Sequence, residues 1–270
     1  MSGFLPTAQF ASLVYGAAGV SRDDPAELYH EASRLYPRIA AERLDVLQEL
    51  EASDELARTF ARSARTHDHR PAVALPEPVP LGASLESVLA RRRSSRPDAL
   101  RPLALSELAA ILRAAYSTAP RPGAPDRRPV PSAGALYPLE LYVLAVAVRE
   151  LEPALYHFHP FKGVLSRLRS LDAPRIHEAL VDRELADDVA AVLVVTAVFW
   201  RSRCKYGLRG YRFALLEAGH LVQNVGLAAA ALALPALPLG GFYDRRLDEL
   251  VGADGLDEAS VYAVALGGSA

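Results

Sequence analysis

The sequence predicts an α+β fold in which helices cover a central mixed sheet. Two stretches, ELYVLAVAV (140–148) and AAVLVVTAVFW (190–200), are β-branched and nearly continuous in apolar residues, as strands buried on both faces should be. ALYHFH (154–159) and VYAVAL (261–266) are shorter strand candidates. Helical segments separate these runs, the longest spanning about 209–234, so the elements assemble as helices on a sheet.

From the N-terminus, residues 1–83 read as a helical section followed by a linker. Pro25 can open a helix through AELYHEASRLY, and RLDVLQELEASDELARTFARSAR carries apolar residues at helical spacing. PAVALPEPVPLG, with four prolines in twelve residues, predicts an extended linker before a second unit at 84–270. There Ser84 can cap a helix with apolar Leu85, Val88 and Leu89. Ser106 and Glu107 open a second helix whose Leu108, Ile111, Leu112 and Ala115 form one apolar face. The proline-rich stretch 117–130 predicts a loop, and a long polar loop often borders a site.

A chain of 270 residues, 51% hydrophobic and 23% charged, can bury a large core. Its net charge of −2 creates no global field for nucleic acid or an anionic membrane. The single cysteine, Cys204, excludes an internal disulfide and a multi-cysteine metal site, which fits a reducing cytoplasm; no metal is expected. MSGFLPTAQF lacks the basic and apolar regions of a secretory signal. Residues 213–234 are as long and apolar as a membrane span, yet Glu217, His220, Gln223 and Asn224 would be costly in hydrocarbon, so a buried soluble helix is expected.

Four segments can carry chemistry. Arg92, Arg93, Ser94, Ser95 and Arg96 offer a dense donor set for a phosphate, although a basic helix end alone has the same composition. Pro131, Ser132, Ala133 and Gly134 make a rigid, small-residue backbone able to lie against a flat ring, or an ordinary turn. Lys205 and Tyr206 follow the strand ending at Phe199–Trp200 and form either a proton-transfer pair or a surface turn. Of 30 basic residues only Lys162 and Lys205 are lysines, and a desolvated lysine can become a neutral base where an arginine cannot. Gly240 and Gly241 let a backbone approach a planar ligand or take positive φ.

RRSSR, PSAGALYP, KYGLRGYR, LEAGHLVQN and LGGF, in this order, together with LYHEAS at 28–33, resemble the SagB-type branch of the nitroreductase superfamily over most of residues 28–268. The resemblance implies an intertwined homodimer with FMN sites lined by both subunits. It assigns Arg92, Arg93, Ser94 and Arg96 to the FMN phosphate and ribityl chain, and Pro131, Ser132, Ala133 and Gly134 to the isoalloxazine. Gly240 and Gly241 fall at the ring's other edge, and Lys205 and Tyr206 become the catalytic pair. The implied reaction is oxidation of a thiazoline or oxazoline in a ribosomally made peptide, in some relatives within a cyclodehydratase complex. Two departures stand out: the chain ends in GGSA where many nitroreductases carry basic residues, and no peptide-leader module is evident. An NAD(P)H-dependent nitro, flavin or quinone reductase, or a non-catalytic scaffold in a peptide-modifying complex, would share the fold. No GxGxxG nicotinamide fingerprint is present.

Overall fold

A computed structural model describes residues 24–37, 53, 55, 59–60, 62–118 and 127–268. Most of the expected helix at 43–65, and the loop at 119–126, lie outside the described residues. In chain order the elements are α1 (Pro25–Ala32), β1 (Ala72–Ala74), α2 (Leu85–Arg91), β2 (Leu103–Ala104), α3 (Leu105–Tyr116), β3 (Leu139–Ala145), β4 (Val148–Arg149), β5 (Ala154–His159) and β6 (Val164–Ser170). They continue as α4 (Ala173–Ala179), α5 (Leu185–Asp188), β7 (Ala191–Val198), α6 (Trp200–Tyr206), α7 (Arg209–Ala231), β8 (Ala236–Leu239), α8 (Asp244–Val251) and β9 (Glu258–Leu266).

Seven strands form one sheet in the order β1-β6-β5-β3-β7-β9-β8, while β2 and β4 make a separate parallel pair. The expected α+β layering is present, but the large sheet is antiparallel at every pairing rather than mixed. Apolar runs report burial on both faces, not strand direction, and this antiparallel sheet is covered on both. Leu139, Leu141 and Val143 of β3 join Leu193 and Val195 of β7 under α3 and α7. On the opposite face Tyr142 and Leu144 join Val192 and Val194 under α4, α5 and α8. The alternation is that of pleated strands, and each fully buried large apolar side chain is worth about 1.5–3 kcal/mol.

Local details refine the expectations. Asp24 caps α1, accepting from Ala26 N at 2.8 Å, with Pro25 opening the helix. Ser84 caps α2 through Ser87 N at 3.2 Å, but Leu85 and Leu89 are exposed and Val88 alone of the expected stripe is buried. α3 begins earlier than Ser106: Ala104 is the cap residue, and Glu107 reaches back to accept its N–H at 2.8 Å, satisfying an end-of-helix donor. Residues 72–74 of the expected linker add an edge strand to β6, with Leu75 buried beside it. The long apolar helix is α7, and no helix among the described residues is long and apolar enough to cross a membrane.

Candidate active site

Lys205 and Tyr206 occupy the last turn of α6, not a strand end: β7 stops at Val198 and the chain coils at once into the short helix. Gly207 ends α6 at φ 57°, ψ −137°, a conformation that strains any residue with a Cβ, and its N–H donates to Arg203 O at 2.8 Å. α1 braces the turn that follows. Tyr29 Oη donates to Leu208 O at 3.1 Å, and Arg212 reaches Ser33 Oγ at 2.8 Å and His30 O at 2.7 Å. The LYHEAS segment thus packs beside KYG.

The Pro131–Gly134 loop meets the same pair. Gly134 sits at φ 63°, and a Cβ there would lie 2.7 Å from Tyr206 Oη and 3.4 Å from Lys205 Nζ. Only a glycine lets the phenol and the amine come this close to the loop backbone. Ser132 Oγ accepts from Tyr137 N at 2.9 Å. A cavity of about 570 Å³ opens beside the loop, lined by Arg127, Arg128, Pro131, Ser132, Ala135 and Tyr137 among others.

Behind this loop stands Glu217, 2% exposed, which the sequence showed only as a polar interruption of α7. Tyr116 Oη donates to it at 2.7 Å. Burial pushes the carboxyl up to about 7, against the opposing effect of the Ser132 and Tyr116 hydroxyls and the Arg128 charge. The Arg128 guanidinium lies over the rings of Tyr116 and Tyr137, at 4.2 and 4.6 Å from their centroids.

RRSSR begins where α2 ends, and Arg92 is the residue that closes the helix. Arg91, Arg92, Arg93, Ser95 and Arg96 line a cavity of about 670 Å³ against Ala230 and residues 233–236, with Asp98 as its acidic member. Four guanidinium groups against one carboxylate suit a phosphate. The side chain of Arg92 packs on Gly226, Arg93 Nε donates to Ser95 Oγ at 3.3 Å, and Ser95 N donates to Ala236 O at 2.9 Å. Arg96 is held by an ion pair with Asp182, so a phosphate would have to share it. Ser94 is exposed and does not line the cavity.

Gly240 and Gly241 do not take positive φ, so the left-handed option considered for them is not used. Gly241 O accepts from Val181 N at 3.0 Å, which places the glycine pair beside the residue preceding Asp182, the partner of Arg96. The predicted segments therefore gather into two groups, the Lys205–Tyr206 pair with the Pro131–Gly134 loop, and RRSSR with Gly240–Gly241. α7 carries the wall of both, with Glu217 behind the first and Gly226 beside the second, about 14 Å apart at a helical rise of about 1.5 Å per residue.

Sequence reasoning missed a second buried polar cluster, on the sheet face opposite α7. Glu140, 2% exposed, bonds His157 Nε2 at 2.8 Å, pairs with Arg201 of α6 at 2.6 Å and accepts Arg65 N at 2.9 Å. Burial would raise this carboxyl, but the His157 bond and the Arg201 charge overcome it and hold it down at about 2. Nearby, Glu258 accepts from Tyr142 Oη at 2.9 Å and Thr196 Oγ1 at 2.6 Å and meets Arg65. Arg201 lies one helical turn before Lys205, so the cluster anchors the helix that presents the lysine. Cys204 is raised by burial, the wrong direction for a reactive thiolate. No group of three or more metal-ligating side chains occurs among the described residues.

Residues 89–268 match the model of the nitroreductase family. A nitroreductase-like protein of Methanocaldococcus jannaschii is 38% identical over 170 residues, 62% of this chain and 83% of that protein. The microcin B17-processing protein McbC of Escherichia coli is 29% identical over 158 residues, 56% of this chain and 57% of McbC. Among solved structures, a nitroreductase-type protein from Anabaena variabilis superposes with a TM-score of 0.63 at 28% identity, over 75% of this chain and 42% of that one. The chain thus spans little more than half of McbC and less than half of the Anabaena protein.

Proposed function

Because this chain belongs to the nitroreductase family, an oxidoreductase family, we propose that it is an FMN-dependent oxidase of thiazoline or oxazoline rings in a ribosomally made peptide. The observation that carries this reading is the contact of Lys205 and Tyr206 with the Pro131–Gly134 loop at Gly134, which puts an amine and a phenol beside the proposed seat of the flavin ring. Similarity to a peptide-processing protein, McbC, supports a peptide substrate.

The residues fit the cofactor. Gly134 is a close-approach backbone, and the arginine-lined cavity beside Arg92, Arg93 and Arg96 suits a phosphate. In this reading Arg92, Arg93, Ser94 and Arg96 hold the phosphate and ribityl chain. Pro131, Ser132, Ala133 and Gly134 lie against the isoalloxazine, with Gly240 and Gly241 at its other edge. Bound there, FMN supplies the acceptor for the hydride that azoline oxidation releases. Lys205 takes the ring-carbon proton, and Tyr206 orients the ring or the amine through its hydroxyl. A second copy of the chain would cover Leu85, Leu89, Leu215 and Leu216, all exposed here, in the homodimer expected of this reading. A cyclodehydratase is the proposed partner that delivers substrate.

The first test is the visible spectrum of the purified protein with identification of the released chromophore, followed by azoline oxidation by the wild type, Lys205→Ala and Tyr206→Phe. Bound FMN, with azole formation lost in both variants, is expected; full activity of Lys205→Ala overturns the base assignment. The 38% identical nitroreductase-like relative favours a second reading, an NAD(P)H-dependent reductase of nitro compounds, quinones or flavins. Rapid bleaching of the flavin by NADPH without azoline turnover would select it.

A further inference from the structure

Arg128 is a buried cation that the chain satisfies only in part. The residue is 6% exposed, and its guanidinium carbon lies 4.2, 4.6 and 5.5 Å from the ring centroids of Tyr116, Tyr137 and Phe161. Nη2 donates to Ser63 O at 2.8 Å, while Nε is buried with no hydrogen-bond partner among the described residues. Nor does a carboxylate form an ion pair with Arg128 among those residues: Glu217 feels its charge but takes the Tyr116 hydroxyl instead. Aromatic faces attract a cation but offer no lone pair to an N–H, so a donor held away from water stays unpaired. Such a donor calls for an acceptor from outside the chain, and Arg128 lines the cavity of about 570 Å³.

We propose that this cavity is a subsite for a carboxylate of the substrate, held by the buried Arg128 guanidinium. The volume is in the range of small-molecule sites, and Val130, Pro131 and Ala135 give it an apolar wall beside Ser132. A carboxylate brings the opposite charge to a cation shielded from water, and its planar pair of oxygens matches the fork of a guanidinium. A single charge fits better than a phosphate. The only other cation of this lining is Arg127, which is exposed, whereas four arginines line the RRSSR cavity. An acidic side chain and a peptide C-terminus share the required chemistry. Placing the carboxylate on the substrate rests on the reading of Pro131–Gly134 as the seat of the flavin ring. Pro131 and Ser132 belong both to that seat and to the wall of this cavity, so a substrate anchored here would lie next to the ring. The carboxylate site itself does not depend on the flavin.

The test titrates the full chain with benzoate and with benzamide at neutral pH and follows the melting temperature. Benzoate should raise it saturably, and benzamide, of nearly the same shape but without the charge, should not. Arg128→Met should weaken benzoate binding about tenfold or more, the loss expected for a hydrogen bond to a charged group. Equal effects of the two probes, or wild-type benzoate affinity in Arg128→Met, overturn the site. Should Arg128→Met not fold, as read by circular dichroism, a crystal structure with para-bromobenzoate decides. A carboxylate at the Arg128 guanidinium supports the proposal, and one bound elsewhere overturns it. Acetyl-diglycine, with a terminal carboxylate, and acetyl-aspartate amide, with a side-chain one, then identify the source by which binds more tightly; binding of neither overturns the assignment to a peptide. Protein saturated with FMN should still bind benzoate. Displacement of benzoate by FMN would give Arg128 to the flavin's own carbonyl edge and overturn the substrate assignment. Failure to bind FMN removes the flavin reading, and the carboxylate site is then decided by benzoate alone.

Discussion

Glu140 and Glu217 are each 2% exposed, lie on opposite faces of the same sheet and are driven in opposite directions. Burial penalises both charges. Glu140 is met by a guanidinium and an imidazole and is held at about 2, while Glu217 is met by two hydroxyls, feels Arg128 only through its charge, and rises to about 7. Depth alone therefore does not set the state of a buried carboxyl; the charge of its partners does. The first arrangement is a permanent ion pair that fixes α6 to β3, and the second is a group that can gain or lose a proton near neutrality.

The sharpest way to break this contrast is to remove the cation on the Glu140 side. Arg201→Met should lower stability by about 3–5 kcal/mol, the usual loss when one member of a buried pair is left alone, read as a fall in the urea midpoint at pH 7. Because α6 also presents Lys205, azoline turnover should fall with it; an Arg201→Met protein of wild-type stability would mean that the pair contributes nothing.

Next in size is the pH dependence that the two carboxyls impose. The folded value of Glu217 lies above its ordinary 4.5, so the native state binds the extra proton between 4.5 and about 7 and loses stability as pH rises through that window. At about 1.4 kcal/mol per pH unit this comes to a little over about 3 kcal/mol. Glu217→Gln should therefore gain little at pH 5 and about 3 kcal/mol at pH 8 in urea unfolding. Glu140 has the opposite sign. Its folded value lies below 4.5, so its contribution is complete above 4.5 and disappears as pH falls through about 2. The acid limb of unfolding should be shallower in Glu140→Gln than in the wild type, and an identical acid limb would show that this carboxyl is not held charged. The smallest expected effect is that of Tyr116→Phe. Loss of its bond to Glu217 should cost about 1 kcal/mol at pH 6 in thermal unfolding.

Much of the fold was legible along the chain. ALYHFH is β5 residue for residue, Ser84 caps α2 as its side chain allows, and the apolar face Leu108–Ala115 is buried as its spacing requires. β6 was missed because VLSRLRS mixes arginines with its apolar residues, and β1 because it hides in a proline-rich stretch. The direction of the strands was not legible either, since an apolar run looks the same in either sense. In the candidate site, KYG and PSAG could be singled out as segments, but their meeting at Gly134 could not.

By itself, then, the sequence determined what is local: periodicity, capping, the chemistry carried by each short segment, and the resemblance those segments show together. Tertiary structure decided what each charge became. Tyr116 and Glu217 are 101 residues apart, Arg201 and Glu140 sit on different elements, and Asp182 reaches Arg96 across 86 residues. Ionisation depends on desolvation and on the nearest partner, and both are properties of the packed chain that no window of sequence contains.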